Sequence, residues 1–381
     1  MKTAHFLAAA LALAAGALPA MAQGPARPQG TAQGTVQGTA QPGAPQKVAQ
    51  AAPAAAAPAV GGAVEAIRAR GHLLCGVSPA TPGFALQDGR GEWRGLDVDY
   101  CRAVAAALLG DAAKARFVPV PAAERFDMLR RGAIDILARA TTWTLERDVG
   151  EGGSFAAVTY FDGQGFLVRR ATGVSRVQQL DGAKVCVEAG TTSEQNLAEY
   201  ARTMHLNITP VAARGADATR AAFMAQYCDA LTSDTAALAG FMAQQGSNAA
   251  NYAILYEVIS KEPLGPVVRE GDRKLFSIAR WVHFAMLAAE ELGLDSKTVA
   301  SLKAGPAGAV AESAQEVQRL FGIAGRSGEL LGLDADWGAR VIRQVGNYRE
   351  VWERNIQPLG LQRGLNLLWN QGGLQYAPPI R

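Results

Sequence analysis

The sequence predicts an α/β protein whose parallel-type sheets are covered by helices on both faces. Short apolar runs with the look of buried strands alternate with helical stretches from about residue 64 to residue 138. The same alternation restarts after Phe166 and runs to about residue 245. At 381 residues the chain is long enough for two such units, each with its own core.

Taken in order, residues 1–22 read as a secretory signal. Lys2 gives the positive start, residues 6–18 the apolar stretch, and Ala20-Met21-Ala22 the small-residue cleavage site. No cysteine follows that site, which argues against a lipid anchor there. Residues 23–61 are almost entirely Gln, Gly, Thr, Ala and Pro, a composition too poor in apolar side chains to offset its ordering entropy, and a disordered tether is expected.

The folded part opens with a short helix over residues 64–71, stopped by Gly71, and a buried strand over residues 72–77. Gly95-Leu96-Asp97-Val98-Asp99 leads into an Ala-rich helix. Asp97 and Asp99 are expected to cap its start rather than to bind metal, since acids suit a helix N-terminus. A strand at 115–118, a helix at 124–130 and a strand at 134–138 follow. In the second block, the strand over residues 184–188 runs into Ala189-Gly190-Thr191-Thr192-Ser193-Glu194, where Thr191 and Glu194 fit a capping box. A helix at 217–226, a strand at 230–233 ending on Asp234, and a helix at 235–245 complete the unit. The prolines of Lys261-Glu262-Pro263-Leu264-Gly265-Pro266 make that stretch extended. Residues 275–292 form a long apolar helix with Trp281 and Phe284, read as core and not as a cofactor box. Residues 295–381 alternate short helices with Gly-rich turns and are expected to pack as a collar against one unit.

The net charge of +3 forms no block of like charge, so nucleic acid is excluded as the expected partner. No run of about 18 apolar residues follows the leader, and no membrane span is expected. Four cysteines (Cys75, Cys101, Cys186, Cys228) in an exported chain suggest two disulfides with three possible connectivities; their spacing fits no zinc motif.

Chemistry concentrates at residues 138–147, Ala-Arg-Ala-Thr-Thr-Trp-Thr-Leu-Glu-Arg, directly after an apolar strand. A strand that stops at small and hydroxylated residues delivers N–H groups, hydroxyls and a guanidinium to one place, as a small carboxylate requires. Thr142, Arg147, Thr192 and Asp234 all lie where strands end, the side of an open α/β sheet that takes ligands.

Several stretches resemble one family. Gly95-Leu96-Asp97-Val98-Asp99, Thr141-Thr142-Trp143-Thr144 with Arg147, Phe161-Asp162-Gly163-Gln164-Gly165-Phe166, Gly190-Thr191-Thr192 and residues 261–266 are similar to the periplasmic solute-binding proteins of polar and general L-amino-acid ABC transporters (bacterial extracellular solute-binding proteins, family 3). The likeness runs from about Val64 to Arg381 and includes the ending at residues 369–379.

The resemblance implies a two-lobe, Venus-flytrap fold with two hinge crossings, near residues 162–168 and 263–268. Lobe one would comprise 62–165 and 268–381, lobe two 166–267. It implies a monomeric, periplasmic, non-enzymatic protein with no cofactor, metal or catalytic residue, which captures L-amino acids and delivers them to membrane permease subunits. By the family pattern Arg147 clamps the α-carboxylate, Thr142 and Thr192 add donors, and Asp234 takes the α-ammonium. Ala140 stands where the family commonly has Asn or Ser, leaving only its backbone carbonyl for the ammonium. Arg125, Arg139, Thr81 and Glu194 are candidates for the far wall. The alternative of another class is an exported dehydratase of the cyclohexadienyl or arogenate type on the same scaffold, with Glu188 and Glu194 as the nearby acids. Since a bridge between lobes would hamper a hinge, the expected disulfides are Cys75 with Cys101 and Cys186 with Cys228.

Overall fold

A computed structural model describes residues 62–304, 310 and 312–381; the expected leader and tether lie outside them. Two five-stranded sheets organise the chain. In the first, the order is Ala115–Pro119, Leu73–Val77, Ile136–Leu137, Val267–Arg269, Gly153–Phe155. The first three run parallel, with Cys75 opposite both Phe117 and Ile136, while Val267–Arg269 enters antiparallel. In the second, the order is Thr209–Ala213, Lys184–Glu188, Ala230–Asp234, Gln164–Arg169, Tyr252–Ile254. Again the first three are parallel and the fourth is antiparallel. The two sheets therefore repeat one design: three parallel strands, then a strand that arrives from the other sheet.

The passages between sheets are Tyr160–Asp162 and Glu262–Leu264, which pair antiparallel. The ranges the resemblance implies, near residues 162–168 and 263–268, meet them at Asp162 and at Pro263–Leu264 and run on into the sheets. Gln164 and Gly165 already pair with Asp234 and Ser233 in the second sheet, and Val267 pairs with Leu137 in the first.

Apolar spacing explains the helices. Arg273–Glu291 buries Leu275, Ile278, Ala279, Val282, Met286 and Ala289 along one stripe, and each of the larger ones (Leu275, Ile278, Val282, Met286) contributes about 1.5–3 kcal/mol on burial. Trp281 and Phe284 pack against that core. Trp337, Ile342, Val345, Tyr348 and Trp352 belong to the same core cluster, so the C-terminal helices cover the first sheet. They also grip a passage strand. Trp352 stacks on Tyr160 at 5.5 Å, and the Asn366 amide side chain bonds the N–H and carbonyl of Phe161 at 2.7 and 3.0 Å.

Helix Leu96–Leu109 corrects one expectation. Its N-cap is Gly95, without a side-chain cap, at φ 141°, where a Cβ would collide with the Phe84 carbonyl. Asp99 instead binds Arg102, Arg354 and Asn355. Asp97 reaches the 138–147 segment.

Cys75 is bridged to Cys101 and Cys186 to Cys228, with Cα atoms 6.3 and 5.7 Å apart. The first bridge ties strand Leu73–Val77 of one sheet to helix Leu96–Leu109; the second stays inside the other sheet's unit. Peptide mapping of the non-reduced protein is expected to recover these two pairs, and a fragment joining Cys75 to Cys186 would exclude them. By loop closure each bridge contributes about 2–4 kcal/mol, so reduction should lower the melting temperature.

Candidate functional site

The Ile136–Leu137 strand delivers a loop that is pinned from several sides. Ala138 N–H donates to the Gly76 carbonyl, Trp143 N–H to the Pro263 carbonyl and Gly265 N–H to the Thr141 carbonyl. Trp143 stacks on Phe155 at 5.3 Å. Ala140 sits at φ 43°, in the left-handed region that non-glycine residues avoid at a cost of about 1–3 kcal/mol. The buried Asp97 carboxylate holds it there, accepting from Ala140 N–H at 2.7 Å. Burial pushes the Asp97 carboxyl up to about 7, against that hydrogen bond and the Arg139 charge. Asp97 is thus a positioning residue for the loop.

Within the loop Thr144 caps the short helix Leu145–Val149 by accepting from Arg147 N–H at 3.2 Å. This turns the Arg147 side chain back, and its Nη1 donates to the Thr142 carbonyl at 3.0 Å. Across from it, Thr191 Oγ1 accepts from Glu194 N–H at the start of helix Thr192–Thr203, while the Glu194 carboxylate takes Gly190 N–H. The reciprocal half of the expected capping box is therefore displaced by one residue. The first-turn amides of Thr192 and Ser193 have no intrahelical acceptor.

Asp234 ends its strand and precedes helix Thr235–Gln244, yet it does not cap that helix. Asp162, from the passage strand, does so instead, accepting from the Thr235 hydroxyl and from Ala236 N–H at 3.1 Å. Asp234 is left without a hydrogen-bonding or ion-pair partner for its carboxylate among the described residues. Burial, then the neighbouring Asp162 and Glu262, push its carboxyl well above the usual range.

These groups line one cleft between the two sheets' units: Thr142, Arg147, Ala140, Arg139 and Arg125 from the first, Thr192 and Asp234 from the second. Thr81 also lines it, whereas Glu194 does not. Polar contacts cross the cleft. Arg139 Nη2 meets Glu188 Oε1 at 3.2 Å, and Arg220 Nη1 donates to the Ala80 carbonyl at 2.8 Å. Glu188 is therefore tied up by Arg139.

Sequence reading missed Arg220, which carried no motif, and Glu262, which sat inside a quoted motif without a role. Glu262 is 1% exposed. Its carboxylate accepts from Thr142 at 2.6 Å, Thr192 at 3.1 Å, Asn196 at 2.7 Å and Ser260 at 2.7 Å. Thr142 and Thr192 thus direct their hydroxyl protons toward Glu262, or toward each other across 3.3 Å, and present lone pairs to the cleft. That differs from the expectation that both add donors for a carboxylate. Among the described residues no group of three or more His, Cys, Asp or Glu side chains is arranged for a metal ion.

Residues 73–296 match the family profile of the bacterial extracellular solute-binding proteins, family 3. The chain is 46% identical over 324 residues to the putative amino-acid ABC transporter-binding protein YhdW of Escherichia coli K12, covering 84% of this chain and 93% of that one. It is 46% identical over 335 residues to the glutamate/glutamine/aspartate/asparagine-binding protein BztA of Rhodobacter capsulatus, covering 85% and 96%. Among solved structures, an ABC transporter periplasmic binding protein from Brucella ovis with glutathione bound superposes with a TM-score of 0.80 at 42% identity, covering 84% of this chain and all of that one.

Proposed function

The chain belongs to the bacterial extracellular solute-binding proteins, family 3, and from that premise we propose that Arg147 and Asp234 grip the two charged ends of an L-amino acid between closing lobes. It is the amino-acid-binding component of an ABC importer and not an enzyme. Its place is the periplasm, with residues 1–22 as the leader, and it acts as a monomer that hands its ligand to membrane permease subunits.

One observation carries the reading. Arg147 on one wall and Asp234 on the other line the same cleft, and neither has an ion-pair partner among the described residues. A half-buried charge without a counter-charge is unfavourable, and a zwitterion supplies both counter-charges at once. In this reading the planar guanidinium takes the carboxylate in bidentate fashion, helped by the Thr192 and Ser193 amides at the helix start. The ammonium donates to Asp234, to the Thr142 hydroxyl and to the carbonyl of Ala140, whose left-handed turn aims the backbone. Lobe one comprises residues 62–159 and 265–381 and lobe two residues 163–261, with the two passage strands between them. Calorimetry against the twenty amino acids, with small-angle scattering, tests it. Binding with compaction is expected; no heat with any amino acid would reject it.

Acid should weaken binding earlier than an ordinary aspartate allows. The Asp234 carboxyl is raised in the free protein, and a bound ammonium favours its ionised form, so ligand binding expels a proton below that raised value. While the ligand keeps its ammonium, affinity is therefore full above that value and falls as pH drops through it, by up to about tenfold per pH unit. Calorimetry in buffers of different ionisation enthalpy should detect the released proton. Asp234→Asn should abolish the release, and an unchanged release would remove Asp234 from the ammonium site.

A further inference from the structure

We propose that the cleft contains a second anion subsite, built on Arg125 and Thr141, and that the ligands it favours are dicarboxylic amino acids. The inference rests on the zwitterion reading for the first two anchors and extends it to the side chain.

Charge inventory is the first argument. Four guanidiniums line the cleft (Arg125, Arg139, Arg147, Arg220), against two carboxylates, Glu188 and Asp234. Arg139 is held by Glu188. A zwitterion adds as much negative as positive charge, so it takes Arg147 and Asp234 and leaves the excess of positive charge as it was. Arg220 has Asp217 at 3.7 Å. Arg125 alone of the four is left with neither a carboxylate nor a use in the zwitterion reading.

Hydrogen bonding is the second. Arg125 is only 5% exposed; its Nη1 donates to the Ala122 carbonyl at 2.8 Å, and its Nε has no partner. Thr141, 2% exposed, has a buried hydroxyl with no partner either. Both side chains line the cleft. Buried unpartnered donors are uncommon in folded proteins, and here two occur in one cleft, one of them on a cation. Burial and then the Arg147 and Arg139 charges pull the Arg125 guanidinium down to about 9, so an anion beside it relieves both penalties. A planar fork and a hydroxyl are the donor set a carboxylate accepts from. A carboxamide offers the fork one neutral acceptor oxygen where a carboxylate offers two charged ones.

The test is calorimetry with L-glutamate, L-aspartate, L-glutamine and L-asparagine on the wild-type chain, Arg125→Met and Thr141→Val. Wild type should bind each acid at least about tenfold more tightly than its amide, since a hydrogen bond to a charged group is worth more than a neutral one. Arg125→Met should weaken the acids by about thirtyfold or more, and leave the amides within about threefold. Thr141→Val should cost the acids a few fold and the amides nothing. Amides bound as tightly as acids by the wild type, or equal losses for acids and amides in Arg125→Met, would overturn the subsite. The wild-type comparison decides even if a variant fails to fold. Absence of binding by all four would reject the zwitterion reading, a separate outcome.

Discussion

Arg147→Ala is expected to weaken the binding of every L-amino acid the protein takes by roughly thirtyfold to several thousandfold. Removing one member of a buried charge pair costs about 2–5 kcal/mol, and about 1.4 kcal/mol is one decade of affinity. Asp234→Ala should lose a comparable amount by stranding the ammonium. The loss should not depend on the ligand's side chain, because both anchors touch only what all amino acids share. Arg147→Lys should fail as well, since a point charge does not replace a planar fork. Folding should be little affected. Among the described residues the Arg147 side chain makes one hydrogen bond, to the Thr142 carbonyl, and Asp234 leaves the capping of its helix to Asp162. Calorimetry on the two folded variants decides, and wild-type affinity in either would remove the clamp.

The α/β alternation was legible because apolar runs and helix signals are local. Strand Leu73–Val77 and helix Arg273–Glu291 each follow from a dozen or so neighbouring residues. What was not legible depends on residues brought together by the passages between sheets. Asp97 looked like a cap because it begins a helix; only the fold brings Ala140 N–H to within 2.7 Å of it. Asp162 carried no signal as a cap for a helix that starts 73 positions later. Thr142 and Thr192 were recognisable as polar groups at strand ends, but which way a hydroxyl proton points is set by its strongest acceptor. That acceptor, Glu262, lies 120 positions from Thr142 and 70 from Thr192.

Glu262 also carries the second large expected effect. Its carboxylate joins Thr142 of the first unit, Thr192 and Asn196 of the second, and Ser260 beside the passage strand. It is thus the shared acceptor through which the two walls meet. Parting the lobes separates Thr142 from Thr192, now 3.3 Å apart, so the full set of bonds belongs to the closed form alone. A ligand shifts the open–closed balance only by its preference for one state, and whatever else favours closure adds to its apparent affinity. Glu262→Leu leaves several buried donors without an acceptor, each costing about 1–3 kcal/mol, so a lower melting temperature and a marked loss of affinity are expected together. Glu262→Gln separates the two effects. It keeps one acceptor oxygen and most of the shape, but its amide donors face hydroxyls that must turn to receive them. Their lone pairs are then withdrawn from the cleft, where the ammonium needs them. Binding should weaken by about tenfold or more, a shift of at least about 1.4 kcal/mol, with a small change in melting temperature. Small-angle scattering of Glu262→Gln should show less compaction than wild type at equal ligand concentration. Wild-type affinity and full compaction in that variant would mean that Glu262 supports the fold without favouring closure.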